Sequence, residues 1–167
     1  MKINSINDKV LYKLYQLINN YRAKKIISNY DEKHYLNIIK LLDDFQNASH
    51  FKKSPELKWR ITDLLNVIKK HNIRSIAEIG TGRTTILFEY LKKNNFLDEV
   101  LSVEQDKEFI KFMKKFLKKV KLSNNIVHAP YIKTETGGYL DYKIKYVDLL
   151  YIDGPVDLSK KKYKTLT

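Results

Sequence analysis

Cysteine is absent, which excludes disulfides, thiolate metal centres and thiol chemistry. Glycine and proline are scarce, at five and three residues. No Gly/Ser-rich or Pro-rich linker divides the chain, and no internal repeat is visible. No run approaches the roughly 20 apolar residues that a membrane helix needs. Met1 to Asn20 lacks the continuous apolar stretch of a secretory signal. No spacing of His, Asp and Glu reads as a dedicated metal site. The expectation is a soluble, cytoplasmic protein with no membrane partner. Acidic side chains are also few, 19 against 32 basic ones, for a net charge of +13. An excess of that sign admits a nucleic-acid partner. It does not favour one, because abundant Lys, Asn, Ile and Tyr beside scarce Gly is also the bias of an AT-rich genome.

What is present is enough for a core: 167 residues, 43% of them apolar. The first part reads as helices. Val10, Leu11, Leu14, Leu17, Ile18 and Tyr21 recur at helical spacing, as do Tyr35, Ile38, Leu42 and Phe45. A third helix is marked by Ser54 as N-cap, Pro55 at the first helical position and Glu56 in the first turn. Leu57, Ile61, Leu64, Leu65 and Ile68 form its apolar stripe. Residues 1–53 are thus expected to be a helical extension, and 54–167 a second domain.

From Arg74 the pattern alternates between short strands and helices, which predicts a parallel α/β sheet. Strands are expected at Ser75–Ile79, Val100–Val103, Asn125–His128 and Tyr146–Ile152, with helices over Thr84–Lys93 and Asp106–Val120. The near-continuous apolar run of the fourth strand suits a sheet buried on both faces. In the second helix Phe109, Phe112, Met113, Phe116, Leu117 and Val120 centre on one face. Lys107, Lys111, Lys114, Lys115 and Lys118 lie opposite, a solvated face without the interleaved aromatics that single-strand binding favours.

Chemistry concentrates in Glu78-Ile79-Gly80-Thr81-Gly82-Arg83-Thr84-Thr85. A strand ends, two glycines let the backbone turn and approach a ligand, and a helix begins. Glu104 follows Gly80 by 24 residues at the end of the next strand. That is close to the spacing of roughly 20 at which a carboxylate binds an adenosine ribose diol. A dinucleotide site would want a third glycine where Thr85 stands, and Glu78 would oppose a pyrophosphate. A ligand with an ammonium and a sulfonium suits Glu78 better, although Glu78 also fits a strand-end acid bonded to nearby backbone N–H groups. Arg83 in the first helical turn opposes the macrodipole and so invites an anion: a ligand carboxylate, a neighbouring acid or plain solvent.

These segments resemble motif I, the second-strand acidic motif and the fourth strand of class I S-adenosylmethionine-dependent methyltransferases. Glu78 to Thr85 is similar to the subgroup whose loop reads glycine, small residue, glycine, arginine, Ser/Thr, Thr. Ser102-Val103-Glu104-Gln105-Asp106 and Val147 to Pro155, ending Asp-Gly-Pro, are similar to its other two motifs, with His128-Ala129-Pro130 and Gly137-Gly138-Tyr139 between them. The resemblance spans about residues 54 to 157. It implies a Rossmann-like fold and S-adenosyl-L-methionine as cofactor, while strand–helix alternation, right-handed crossovers and a ligand loop at the switch point between strands 1 and 4 give the sheet order 3-2-1-4. It also implies a cofactor set of Glu78, Gly80, Thr81, Gly82, Arg83, Thr84, Glu104, Gln105 and Ala129. In that set the loop meets the methionine and ribose part, Glu104 binds the ribose hydroxyls, and Gln105, His128 and Ala129 border the adenine. Asp153 would sit near the methyl group, and Asp153 and His128 are the candidates for a general base. Asp153 equally fits a turn-former followed by Gly154 and Pro155.

Seven strands are usual in that family, and four are found here, with 15 residues after Ile152. The fourth strand is therefore expected at an open edge. A fragment, a partner chain covering that edge and a minimal variant are the readings left open, and the methyl acceptor is undefined. Two alternatives to a methyltransferase stand beside it. One is a non-catalytic remnant that binds a partner or nucleic acid. The other is an NAD-type oxidoreductase.

Overall fold

A computed structural model describes residues 10–15, 17, 18, 21, 32–49, 57–135 and 137–153. The chain forms two compact units, Met1–Arg74 and Ser75–Thr167. The helix starting at Leu57 falls in the first unit, whereas the sequence reading grouped it with the second. Ser54, Pro55 and Glu56, read as its N-terminal signals, lie outside the described residues.

In the first unit the described residues between 10 and 21 are helical. Helix α1 spans Glu32–Ala48 and buries Ile38, Leu42 and Phe45, spaced at i, i+4 and i+7. Helix α2 spans Leu57–Lys70 and buries Ile61, Leu65 and Ile68. Tyr35 on α1 and Thr62 on α2 share a side-chain hydrogen bond, while burial pushes the Tyr35 phenol above its ordinary value. Lys69 and Lys70 in the last turn of α2 complement the helix dipole.

The second unit is a mixed α/β, Rossmann-like fold. Its elements run β1 (Ser75–Ile79), α3 (Arg83–Lys93), β2 (Glu99–Glu104), α4 (Lys107–Lys119), β3 (Ile126–His128), β4 (Tyr131–Thr134), β5 (Gly137–Leu140) and β6 (Leu149–Ile152). One sheet has the order β3-β2-β1-β6, and every pairing in it is parallel. This is the expected order 3-2-1-4, with β6 as the fourth strand of the sequence reading.

The register is offset by 24 residues between β1 and β2, so that Glu78 stands beside Ser102 and Ile79 beside Val103. Ile76, Ala77, Val100 and Val103 form the apolar centre. Helix α3 buries every residue from Thr85 to Leu91, including Glu89, whose carboxylate accepts a hydrogen bond from Ser123 Oγ. Helix α4 buries only Ile110, Met113, Phe116 and Leu117, and Lys107, Lys111, Lys114, Lys115 and Lys118 are exposed. Its N-cap is Asp106, whose Oδ1 accepts the N–H groups of Glu108 and Phe109 at 3.0 and 3.1 Å.

Two features depart from the sequence reading. A two-stranded antiparallel hairpin, β4–β5, follows β3, with Thr134 opposite Gly137. Between the two strands the sequence carries no Asn-Gly or Asp-Gly, the signature of a tight hairpin, so nothing local announced it. Second, β6 is shorter than expected and is not buried on both faces: Leu150 and Ile152 are 47% and 61% exposed. Among the described residues the strand lies at the end of the sheet and has a neighbour on one side only. Asp148 interrupts its apolar run because it clamps the start of β1. Its Oδ2 accepts from Ser75 N–H and Oγ at 2.8 and 2.9 Å.

Among the described residues no helix is long and apolar enough to cross a membrane.

Candidate cofactor site at the carboxyl edge of the sheet

Parallel strands place their carboxyl ends along one edge, and there the candidate residues gather. Ile79, Glu104, His128 and Ile152 end β1, β2, β3 and β6. The ladder continues one residue beyond each pairing. Gly80 N–H donates to Val103 O at 2.8 Å, Ala129 N–H to Glu104 O at 2.9 Å, and Asp153 N–H to Ile79 O at 2.9 Å. Gly80, Glu104 and Asp153 therefore share one edge, as the topology predicts for a doubly wound sheet.

Gly80 has φ 87°, a conformation that costs a side-chain-bearing residue about 1–2 kcal/mol. It turns the chain out of β1. Thr81 and Gly82 follow, and Gly82 caps α3, with its N–H donating to Thr85 Oγ1 at 2.9 Å. A Cβ built on Gly82 would meet no atom within 4 Å, so the backbone there faces open space. Arg83 and Thr84 open the helix, both half-buried.

Glu104 joins this loop to β2. Its Oε2 accepts from Thr81 N–H at 2.8 Å and Thr81 Oγ1 at 2.9 Å. Its Oε1 accepts from Gln105 N–H at 2.8 Å and Asp106 N–H at 2.9 Å. Glu104 is buried, and Gln105 beside it is half-buried.

Glu78 lies beneath the loop with no exposed surface. Of the roles the sequence offered it, bonding to backbone N–H groups is replaced by bonding to hydroxyls. Thr84 Oγ1 donates to Oε1, while Thr85 Oγ1 and Ser102 Oγ donate to Oε2 at 2.6 and 3.0 Å. Burial pushes the Glu78 carboxyl up to about 7, opposed by the three hydroxyls and helped by the negative charge of Asp153. Ser102 and the bonding role of Thr85 were missed in the sequence. The signal for Ser102 was the same 24-residue offset that pairs Gly80 with Glu104, which sets Ser102 beside Glu78.

The two general-base candidates are not brought together. His128 ends β3 and Asp153 follows β6, at opposite ends of the four-strand row. Three intervals of about 4.8 Å put their backbones roughly 14 Å apart. His128 is exposed, and its Nε2 lies 3.1 Å from Gln105 O, a carbonyl that only accepts. Nε2 is therefore the donor in this contact. Asp153 is exposed beside β1, next to the loop.

Among the described residues no group of three or more His, Asp or Glu side chains could hold a metal. Comparisons with family models, curated proteins and solved structures gave no match.

Proposed function

We propose that the second unit binds S-adenosyl-L-methionine at this edge and transfers its methyl group to an acceptor. The observation that carries the reading is the loop's hydrogen bonding. The N–H groups of Gly80, Thr81 and Gly82 all point to protein acceptors: Val103 O, Glu104 and Thr85 Oγ1. A pyrophosphate would need such donors free. Instead the edge carries the carboxyls of Glu104 and Asp153, with Gly82 facing open space and Glu78 buried beneath the loop. That balance suits a cationic adenosine ligand over a dinucleotide.

In this reading Glu104 holds the ribose hydroxyls, and the Gly80–Arg83 loop with Thr84 borders the methionine part. Gln105 and Ala129 line the adenine side. Bound there, the cofactor supplies an already activated methyl group. The chain's share is then to hold acceptor and methyl group in line and to exclude water. Asp153 is the better-placed base, because it adjoins the strand that carries the loop. His128, two strands from β1 and bonded to Gln105, belongs to the adenine side. The same reading keeps the expectation of a cytoplasmic protein.

Calorimetric titration with S-adenosylmethionine, S-adenosylhomocysteine and NAD tests the proposal. Binding of the first two without NAD is expected, and Glu104→Ala should weaken it by roughly 1.5–3 kcal/mol, the range for hydrogen bonds to a charged group. Binding of NAD alone would replace this reading with an oxidoreductase. Unchanged affinity in a folded Glu104→Ala variant would remove the ribose role.

A further inference from the structure

Resting on the methyltransferase reading, we infer that the Thr81 hydroxyl is a latch on the ribose position of Glu104. An ionised carboxylate offers about four acceptor positions. Thr81 N–H, Thr81 Oγ1, Gln105 N–H and Asp106 N–H fill four. Glu104 is thereby saturated and covered before any ligand arrives. A ribose diol reaching it must displace at least one of these donors. Three are backbone groups fixed by the β1 turn and by the entry to α4. The fourth, the Thr81 hydroxyl, leaves by rotation about χ1 alone and regains partners in water. It occupies Oε2, the oxygen on the loop side, where the ligand approaches. Thr81 therefore stands in for a ribose hydroxyl in the free protein, and cofactor binding is an exchange of one hydroxyl for another.

The exchange predicts opposite signs for stability and affinity. Thr81→Val keeps the shape and the N–H but deletes the competing hydroxyl. The free variant should unfold at lower temperature than the wild type, because Oε2 loses a donor. It should bind S-adenosylhomocysteine roughly fivefold more tightly, the equivalent of one net hydrogen bond. Thr81→Ser, which restores the hydroxyl, should return affinity to the wild-type value. The measurement is calorimetric titration of all three proteins, with a thermal melt of each without ligand. Equal or weaker binding by Thr81→Val would overturn the latch while leaving the cofactor reading in place. Absence of binding in all three would overturn the cofactor reading and the latch with it.

Discussion

Glu78 occupies the least accommodating place for a carboxyl in the second unit, between β2 and the first turn of α3. The donors that reach it are hydroxyls, which stabilise an anion less than cations do, so burial dominates and its carboxyl titrates at about 7 against an ordinary 4.5. The linkage has a definite sign. The folded state holds this proton more tightly than the unfolded chain does. The stability it contributes is complete below about 4.5 and is lost as pH rises through about 7. The amount is on the order of 3 kcal/mol. Glu89, also pushed up by burial, acts in the same direction and leaves a residual slope. Urea unfolding at pH 5 and pH 8 should therefore show a smaller loss of stability for Glu78→Gln than for the wild type. Equal losses would mean that the carboxyl is solvated or ion-paired in solution. The acid was legible in the sequence as a strand-end group two residues before the first glycine. Its hydroxyl cage was not, because that cage depends on the register between strands.

At the scale of elements, glycine scarcity shapes how the helices stop. After α2, α3 and α4 the chain passes through a left-handed residue that is not glycine: Asn72 at φ 50°, Asn95 at φ 60° and Lys121 at φ 57°. Each is followed by a residue whose N–H closes the turn: Ile73 to Ile68 O, Phe96 to Leu91 O and Leu122 to Leu117 O, all at 2.9 Å. This is the Schellman arrangement, and glycine is its usual occupant. Asparagine tolerates the conformation; lysine is strained by it. Lys121→Gly should therefore stabilise the protein by about 0.5–1 kcal/mol, after allowing for the greater freedom of glycine in the unfolded chain. Chemical denaturation checks it, and a destabilised variant would mean that the Lys121 side chain carries contacts worth more than the strain. Helix α4 was legible because its apolar residues repeat at helical spacing and Asp106 caps it. The β4–β5 hairpin was not, since four-residue strands with no Asn-Gly or Asp-Gly between them leave little periodicity to read.

For the whole molecule, three local signals were enough to set the topology of the sheet: strand-helix alternation, a glycine turn after the first strand and an acid at the end of the second. They place Gly80, Glu104 and Asp153 on one edge even though the sequence between Gly80 and Asp153 contains two helices and a hairpin. The apolar composition of the fourth strand misled as to its burial, because among the described residues β6 pairs on one side only and its alternate residues Leu150 and Ile152 stay exposed. The separation of His128 from Asp153 follows from the strand order 3-2-1-4 expected from the sequence, which puts the third and fourth strands at opposite ends of the row. It predicts that replacing the two has unlike effects. Asp153→Asn should lower methyl transfer with cofactor affinity nearly unchanged, and His128→Ala should mainly weaken cofactor binding; titration and single-turnover transfer separate the two. The central claim is that an adenosine cofactor occupies the carboxyl edge of the sheet. Hydrogen–deuterium exchange with and without S-adenosylhomocysteine tests it most directly. Peptides covering residues 80–85 and 104–106 should gain protection, while a peptide covering 96–99 at the amino edge should not change. Protection confined to the amino edge, or measurable binding with no change at 80–85 and 104–106, would contradict the account.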